Sequence, residues 1–143
     1  MSYKGCLSGE LQEQLRKLGV AIIYLYGSEA MQVAGVLSDI DIGVVLRVPG
    51  QALKERRERY RLHTRLTDLL EAVFSVACAR ELDLVFLQTA SPILQFEAIN
   101  ARYPLFVADS TFQADYEASV TQAYLDSRPL VEVHFQAALS RAA

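Results

Sequence analysis

Two apolar runs joined by a turn and tipped with carboxylates constrain this chain more than any other feature. Tyr24-Leu25-Tyr26 runs into Gly27-Ser28, ten residues follow, and Asp39-Ile40-Asp41-Ile42-Gly43-Val44-Val45 begins a second run. On a strand, residues i and i+2 share a face. Asp39 and Asp41 therefore converge on one point, while Ile40 and Ile42 turn into the core. Neighbouring carboxylates repel unless a cation lies between them. A hard divalent ion such as Mg²⁺, which takes oxygen ligands and shares them with phosphates, resolves that repulsion.

The rest of the pattern places these runs in one α/β domain. Ser8 caps a helix whose stripe is Leu7, Leu11, Leu15 and Leu18, and Gly19 closes it. Val20 to Tyr26 is β-branched and aromatic, as a buried strand requires. Glu29 to Ala34 suits a short helix that Gly35 stops. Asp39 to Val48 reads as a second strand, closed by Pro49-Gly50. Residues 51–74 read as the longest helix, with Leu62, Leu66, Leu69, Leu70 and Val73 on its core face. Leu82 to Leu87 reads as a third strand, in which Asp83 looks buried. Ser91-Pro92 opens a helix to about Arg102, and Leu105 to Ala108 is a short strand. Asp109 or Ser110 caps a last helix with Phe112, Tyr116, Val120, Ala123 and Tyr124 on one face, and Pro129 is expected to interrupt it. The expected fold is α/β (α+β), a small mixed sheet flanked by helices. Residues 1–109 form the main domain and 110–143 its C-terminal helical extension.

Composition narrows the classes. An apolar content of 52% excludes a disordered chain, and no apolar run approaches a membrane span. Residues 1–20 lack a basic start followed by an apolar block, so the expected location is the cytoplasm. Cys6 and Cys78 have neither disulfide nor zinc spacing. The net charge of −3 argues against direct nucleic-acid binding. Lys54, Arg56, Arg57, Arg59, Arg61 and Arg65, interleaved with Glu55 and Glu58, read as a solvated helix surface. His63, His134, Tyr116 and Tyr124 read as surface or packing residues. The apolar tail from 112 to 135 exceeds what a small sheet needs, which allows a homo- or hetero-oligomer.

Gly27-Ser28 at a strand-to-helix turn exposes backbone N–H groups, a ready phosphate cradle. Asp39 and Asp41 would hold metal against those phosphates. Asp83 on a third strand could complete the site and take a proton from an attacking hydroxyl.

Gly27-Ser28, ten residues, then Asp39-x-Asp41 resembles the signature of the polymerase-beta-like nucleotidyltransferases. The phrase Ser38-Asp39-Ile40-Asp41-Ile42-Gly43-Val44 and the short chain resemble their minimal members, the MNT proteins. Asp83 in Leu82-Asp83-Leu84-Val85 is similar to the third carboxylate of that family. The segments from Thr89 to Leu94 and from Pro104 to Phe106 are similar to its later helix and strand. The resemblance runs from about residue 8 to about 125. It implies ATP as substrate and two Mg²⁺ ions. Asp39 and Asp41 would bind both ions. Asp83 would bind the catalytic one and act as base. Gly27 and Ser28 would grip the β- and γ-phosphates, with Ser38 also at the nucleotide. It further implies a HEPN-domain ribonuclease toxin as partner, silenced by AMP transfer to a tyrosine, with this chain as antitoxin. One departure stands out. The family's Gly-Ser-x-Ala-Arg-Gly is here Gly27-Ser28-Glu29-Ala30-Met31-Gln32. The triphosphate contacts are thus weakened and Glu29 adds negative charge. Two alternatives follow: a weak or inactive fold that neutralises its partner by binding, and a transferase acting on a small molecule such as an antibiotic.

Overall fold

The computed structural model describes residues 7–27, 40–74 and 81–142, in backbone alone at 51, 128–136, 138 and 140–142. Ser28, Ser38, Asp39, the expected helix over Glu29–Ala34, Cys6 and Cys78 lie outside the described residues.

Helix α1 (Gly9–Lys17) begins where the Ser8 side chain accepts from the Leu11 N–H at 3.2 Å. It ends at Gly19, whose φ of +83° is a conformation that residues with a Cβ avoid. Strand β1 (Val20–Tyr26) follows at once and is buried along its whole length. Strand β2 (Ile40–Leu46) stops earlier than expected. The last cross-strand bond runs from the Arg47 N–H to the Gly19 carbonyl at 2.8 Å, and Val48, beyond it, is 74% exposed.

The expected single helix over 51–74 is two helices, α2 (Gly50–Lys54) and α3 (Arg56–Phe74), parted at Glu55. Helical geometry gives the reason. At about 100° per residue, Leu53 would point about 140° away from Leu66 on one straight helix. The break lets Leu53, Leu66 and Leu70 all pack in one core. The Arg59 guanidinium donates to the Leu53 carbonyl at 3.3 Å, which satisfies the end of α2.

Strand β3 (Leu82–Phe86) runs into a 3₁₀ turn, Leu87–Thr89. The Gln88 amide holds that turn by donating to the Leu46 carbonyl and accepting from the Leu46 N–H, both at 2.8 Å. Helix α4 (Pro92–Asn100) has Ser91 as cap and proline in its first turn, as its sequence indicates. Strand β4 is Pro104–Val107. Asp109 accepts from the Thr111 N–H at 2.8 Å and caps α5 (Ser110–Ala142). At 33 residues α5, not α3, is the longest helix, and Pro129 does not interrupt it. A proline removes one i→i−4 hydrogen bond. Here the turns on either side carry the helix past it.

The sheet is mixed, in the order β3-β2-β1-β4. Strand β1 is antiparallel to β2 and β4, while β2 and β3 are parallel. Two apolar layers sandwich it. One joins Ile40, Ile42 and Val44 to Leu15 of α1 and to Leu66 and Leu70 of α3. The other joins Ile22, Tyr24 and Tyr26 to Ala98 and Ile99 of α4 and to Val120 of α5. Fully burying each such aliphatic side chain contributes about 1.5–3 kcal/mol. Among the described residues no helix is long and apolar enough to cross a membrane.

Candidate active site

Strand register builds the site. Tyr26 pairs with Asp41, and Asp41 pairs with Asp83, so the three form one row across β1, β2 and β3. Register partners point to the same face. That face is the α4 side, because Ile40 and Ile42 turn to the other layer. The sequence reading of Ile40 and Ile42 as core, with Asp41 opposed to them, therefore holds. Asp83 differs from expectation: it is exposed. It lies on an edge strand at the open end of its face, where a charged carboxylate keeps its water.

The row opens into a cleft of about 700 Å³ lined by Tyr26, Gly27, Asp41, Asp83, Glu97 and Asn100 among others. Gly27 sits at the end of β1 with φ +70°, and a Cβ there would collide with Asp41 Oδ2. The glycine thus supplies both the turn and the space that the carboxylate occupies. One row further in, Tyr24, Gly43 and Val85 are partners. A Cβ on Gly43 would meet Leu87 Cδ1 at 2.7 Å, so Gly43 lets Leu87 lie flat on the sheet.

Electrostatics tie the row together. Burial pushes the Tyr26 hydroxyl up to about 12, and the charges of Asp41, Asp83 and Glu97 push in the same direction. Tyr26 therefore stays neutral at physiological pH. The donor set suits a hard cation: carboxylate oxygens on adjacent strands, which stand about 4.8 Å apart, open to water. Among the described residues no three His, Cys, Asp or Glu side chains gather closely enough to hold an ion. Asp41 and Asp83 are the two carboxylates that the β2–β3 ladder brings together, and Asp39 lies outside the described residues.

Two residues of the cleft, Tyr26 and Glu97, were not picked out as site residues from the sequence. Tyr26 could have been found by alternation along Val20–Tyr26, since it closes the apolar run just before Gly27. Glu97 is the one charged residue in Pro92–Asn100. With Leu94 and Ala101 it forms an i, i+3, i+7 stripe toward the cleft. Below the row, the buried Tyr24 hydroxyl donates to Glu117 Oε1 at 2.8 Å, and Tyr116 donates to Gln95 at 2.8 Å. Burial raises the pKa of both tyrosines. Tyr124 stacks on Phe96 at 4.0 Å. Tyr116 and Tyr124 are packing residues, as expected. So is His63, whose Nε2–H donates to the Leu84 carbonyl at 2.9 Å.

Comparison with known proteins bears on this geometry. A family model described as polymerase beta, nucleotidyltransferase matches residues 10–111. No curated protein sequence matches the chain. A toxin–antitoxin structure with AMP-PNP superposes with a TM-score of 0.61 at 20% identity, covering 90% of this chain and 98% of that one. The MntA–HepT toxin–antitoxin gives 0.57 at 18% identity, covering 92% and 99%. A tri-AMPylated Shewanella oneidensis HEPN toxin in complex with MNT antitoxin gives 0.58 at 19% identity, covering 91% and 97%. At these identities the likeness establishes the fold.

Proposed function

This chain belongs to the polymerase beta nucleotidyltransferase family, and on that premise we propose that it transfers AMP from ATP to a tyrosine hydroxyl of a partner HEPN ribonuclease toxin, acting as its antitoxin. The observation that carries the reading is the register row of Asp41 and Asp83 at the mouth of a cleft, with Gly27 closing one end. The superposed structures add weight, since one holds an ATP analogue and another an AMPylated HEPN toxin.

In this reading Asp39, Asp41 and Asp83 would hold two Mg²⁺ ions, which when bound would neutralise charge on the triphosphate. The turn at Gly27-Ser28, with Ser38, holds the β- and γ-phosphates through backbone N–H groups and hydroxyls. Asp83, being exposed, is accessible to an incoming hydroxyl and accepts its proton. The tyrosine oxygen forms a bond to the α-phosphorus, the bond from that phosphorus to the pyrophosphate oxygen breaks, and pyrophosphate leaves. Tyr26 and Glu97 wall the cleft and position the nucleotide.

Calorimetric titration with a non-hydrolysable ATP analogue tests the nucleotide step. Binding that needs Mg²⁺ and is lost in Asp41→Asn is expected. Absence of binding with or without Mg²⁺ would contradict the transferase and leave neutralisation by binding alone.

A further inference from the structure

A second cleft, of about 720 Å³, lies against the outer edge of β3 and is lined by Arg56, Arg57, Arg59, Tyr60 and His63 of α3. Val85 lines both clefts, so the two are neighbours around one strand. Their charges are opposite. Among the described residues the first has Asp41, Asp83 and Glu97 in its wall and no Lys or Arg. Among the described residues the second has three arginines and no carboxylate.

Glu58, on the first turn of α3, is drawn to Arg61 at 3.6 Å, and neither residue lines the cleft. Arg59 is anchored on the Leu53 carbonyl, which fixes its guanidinium at the rim. Arg56 and Arg57 are exposed. Tyr60 is 71% exposed beside them, an uncommon state for so large a ring. Arg and Tyr are the residues that dominate the energetics of protein interfaces.

We infer that this basic groove seats an acidic segment of the acceptor protein, flanking the hydroxyl that is modified next door; the inference rests on the transferase reading above. An acceptor with negative residues beside a neutral hydroxyl is repelled by the aspartate cleft and drawn to the arginine cleft. The hydroxyl then remains at Asp83 and the flank crosses Val85. Guanidinium–carboxylate pairs supply strength and direction. Strand addition is not the mode, because His63 already occupies the Leu84 carbonyl on the outer edge of β3. A nucleic-acid strand suits the groove less well. The chain as a whole carries −3, which disfavours a polyanion.

The test uses a fluorescein-labelled ten-residue peptide, one tyrosine followed by alternating Glu and Gly, and its Gln counterpart. Fluorescence anisotropy on the full chain is expected to show the acidic peptide binding at least tenfold more tightly than the Gln peptide. Arg56→Gln/Arg57→Gln should weaken the acidic peptide at least tenfold while leaving ATP·Mg²⁺ binding and the melting temperature unchanged. Tyr60→Ala should weaken it with the fold equally intact. Equal binding of the two peptides, or undiminished binding by the double variant, would overturn the inference. So would a ten-nucleotide oligoadenylate RNA that binds more tightly than the peptide and is lost in the double variant. Peptide binding needs no turnover, so the two readings fail separately. Peptide binding without AMP transfer contradicts only the transferase. AMP transfer to the whole partner without peptide binding contradicts only the groove.

Discussion

Asp41 and Asp83 face each other across the parallel β2–β3 ladder, in register and on the face away from α3. Parallel pairing puts both carboxylates at the same end of the sheet, and the antiparallel β1 returns Gly27 to that end. Elements far apart in sequence thus meet at one cleft. A cation bound between two such carboxylates would offset their mutual repulsion.

Mg²⁺ should therefore stabilise the fold. Binding to the native state alone raises stability by RT ln(1 + [L]/Kd), about 1.4 kcal/mol at tenfold excess over Kd. Thermal unfolding with and without EDTA measures it. Asp41→Asn and Asp83→Asn should each remove the Mg²⁺ shift and leave the metal-free melting temperature equal or slightly higher. An undiminished shift in either variant would show that the ion sits elsewhere.

Gly27→Ala should damage the site more than the fold. Its φ of +70° disfavours a side chain, and the added methyl meets Asp41 Oδ2. Strain of this kind costs about 1–3 kcal/mol. The expected result is a modest fall in the urea midpoint with AMP transfer reduced by about tenfold or more. Full activity would mean that the position of Asp41 is not critical.

Gly43→Ala tests the floor of the cleft. The new Cβ presses on Leu87, a flexible but fully buried side chain. Overpacking of this sort costs about 1–3 kcal/mol. Leu87→Ala in the same chain should recover part of that loss by making room. A double variant no more stable than Gly43→Ala alone would argue against the contact as its origin.

Stability should fall at alkaline pH. Tyr26 titrates at about 12 in the folded chain, against an ordinary value of 10.0. Between these values the unfolded chain releases a proton that the folded chain keeps, so unfolding becomes easier as pH rises. Tyr26→Phe should make that decline shallower. Tyr24 and Tyr116, raised in the same direction, keep it from vanishing. Urea unfolding at pH 9, 10 and 11 decides it, and an unchanged slope would remove Tyr26 from the row.

Local signals made much of this fold legible in the sequence. Val20–Tyr26 is apolar throughout and bounded by Gly19 and Gly27, so its limits are sharp. Ser8 and Ser91 announce their helices because the cap is a side-chain hydrogen bond within three residues. Asp41 against Ile40 and Ile42 follows from alternation alone. What failed depended on longer range. The break at Glu55 answers a need to bury Leu53 and Leu66 together. Continuity through Pro129 depends on the helical turns around it. The exposure of Asp83 depends on β3 being an edge strand, which is a property of the sheet order. Tyr26 and Glu97 were missed because their role is set by which helix covers which end of the sheet.

Intact-protein mass spectrometry tests the central claim most directly. The chain is mixed with its HEPN partner, ATP and Mg²⁺, beside an Asp41→Asn control whose fold is verified by melting. The account predicts a partner mass raised by whole AMP units, with the rate reduced by about 10²–10³-fold or more in the control. An unmodified partner, or transfer at the normal rate by a folded Asp41→Asn protein, would contradict it.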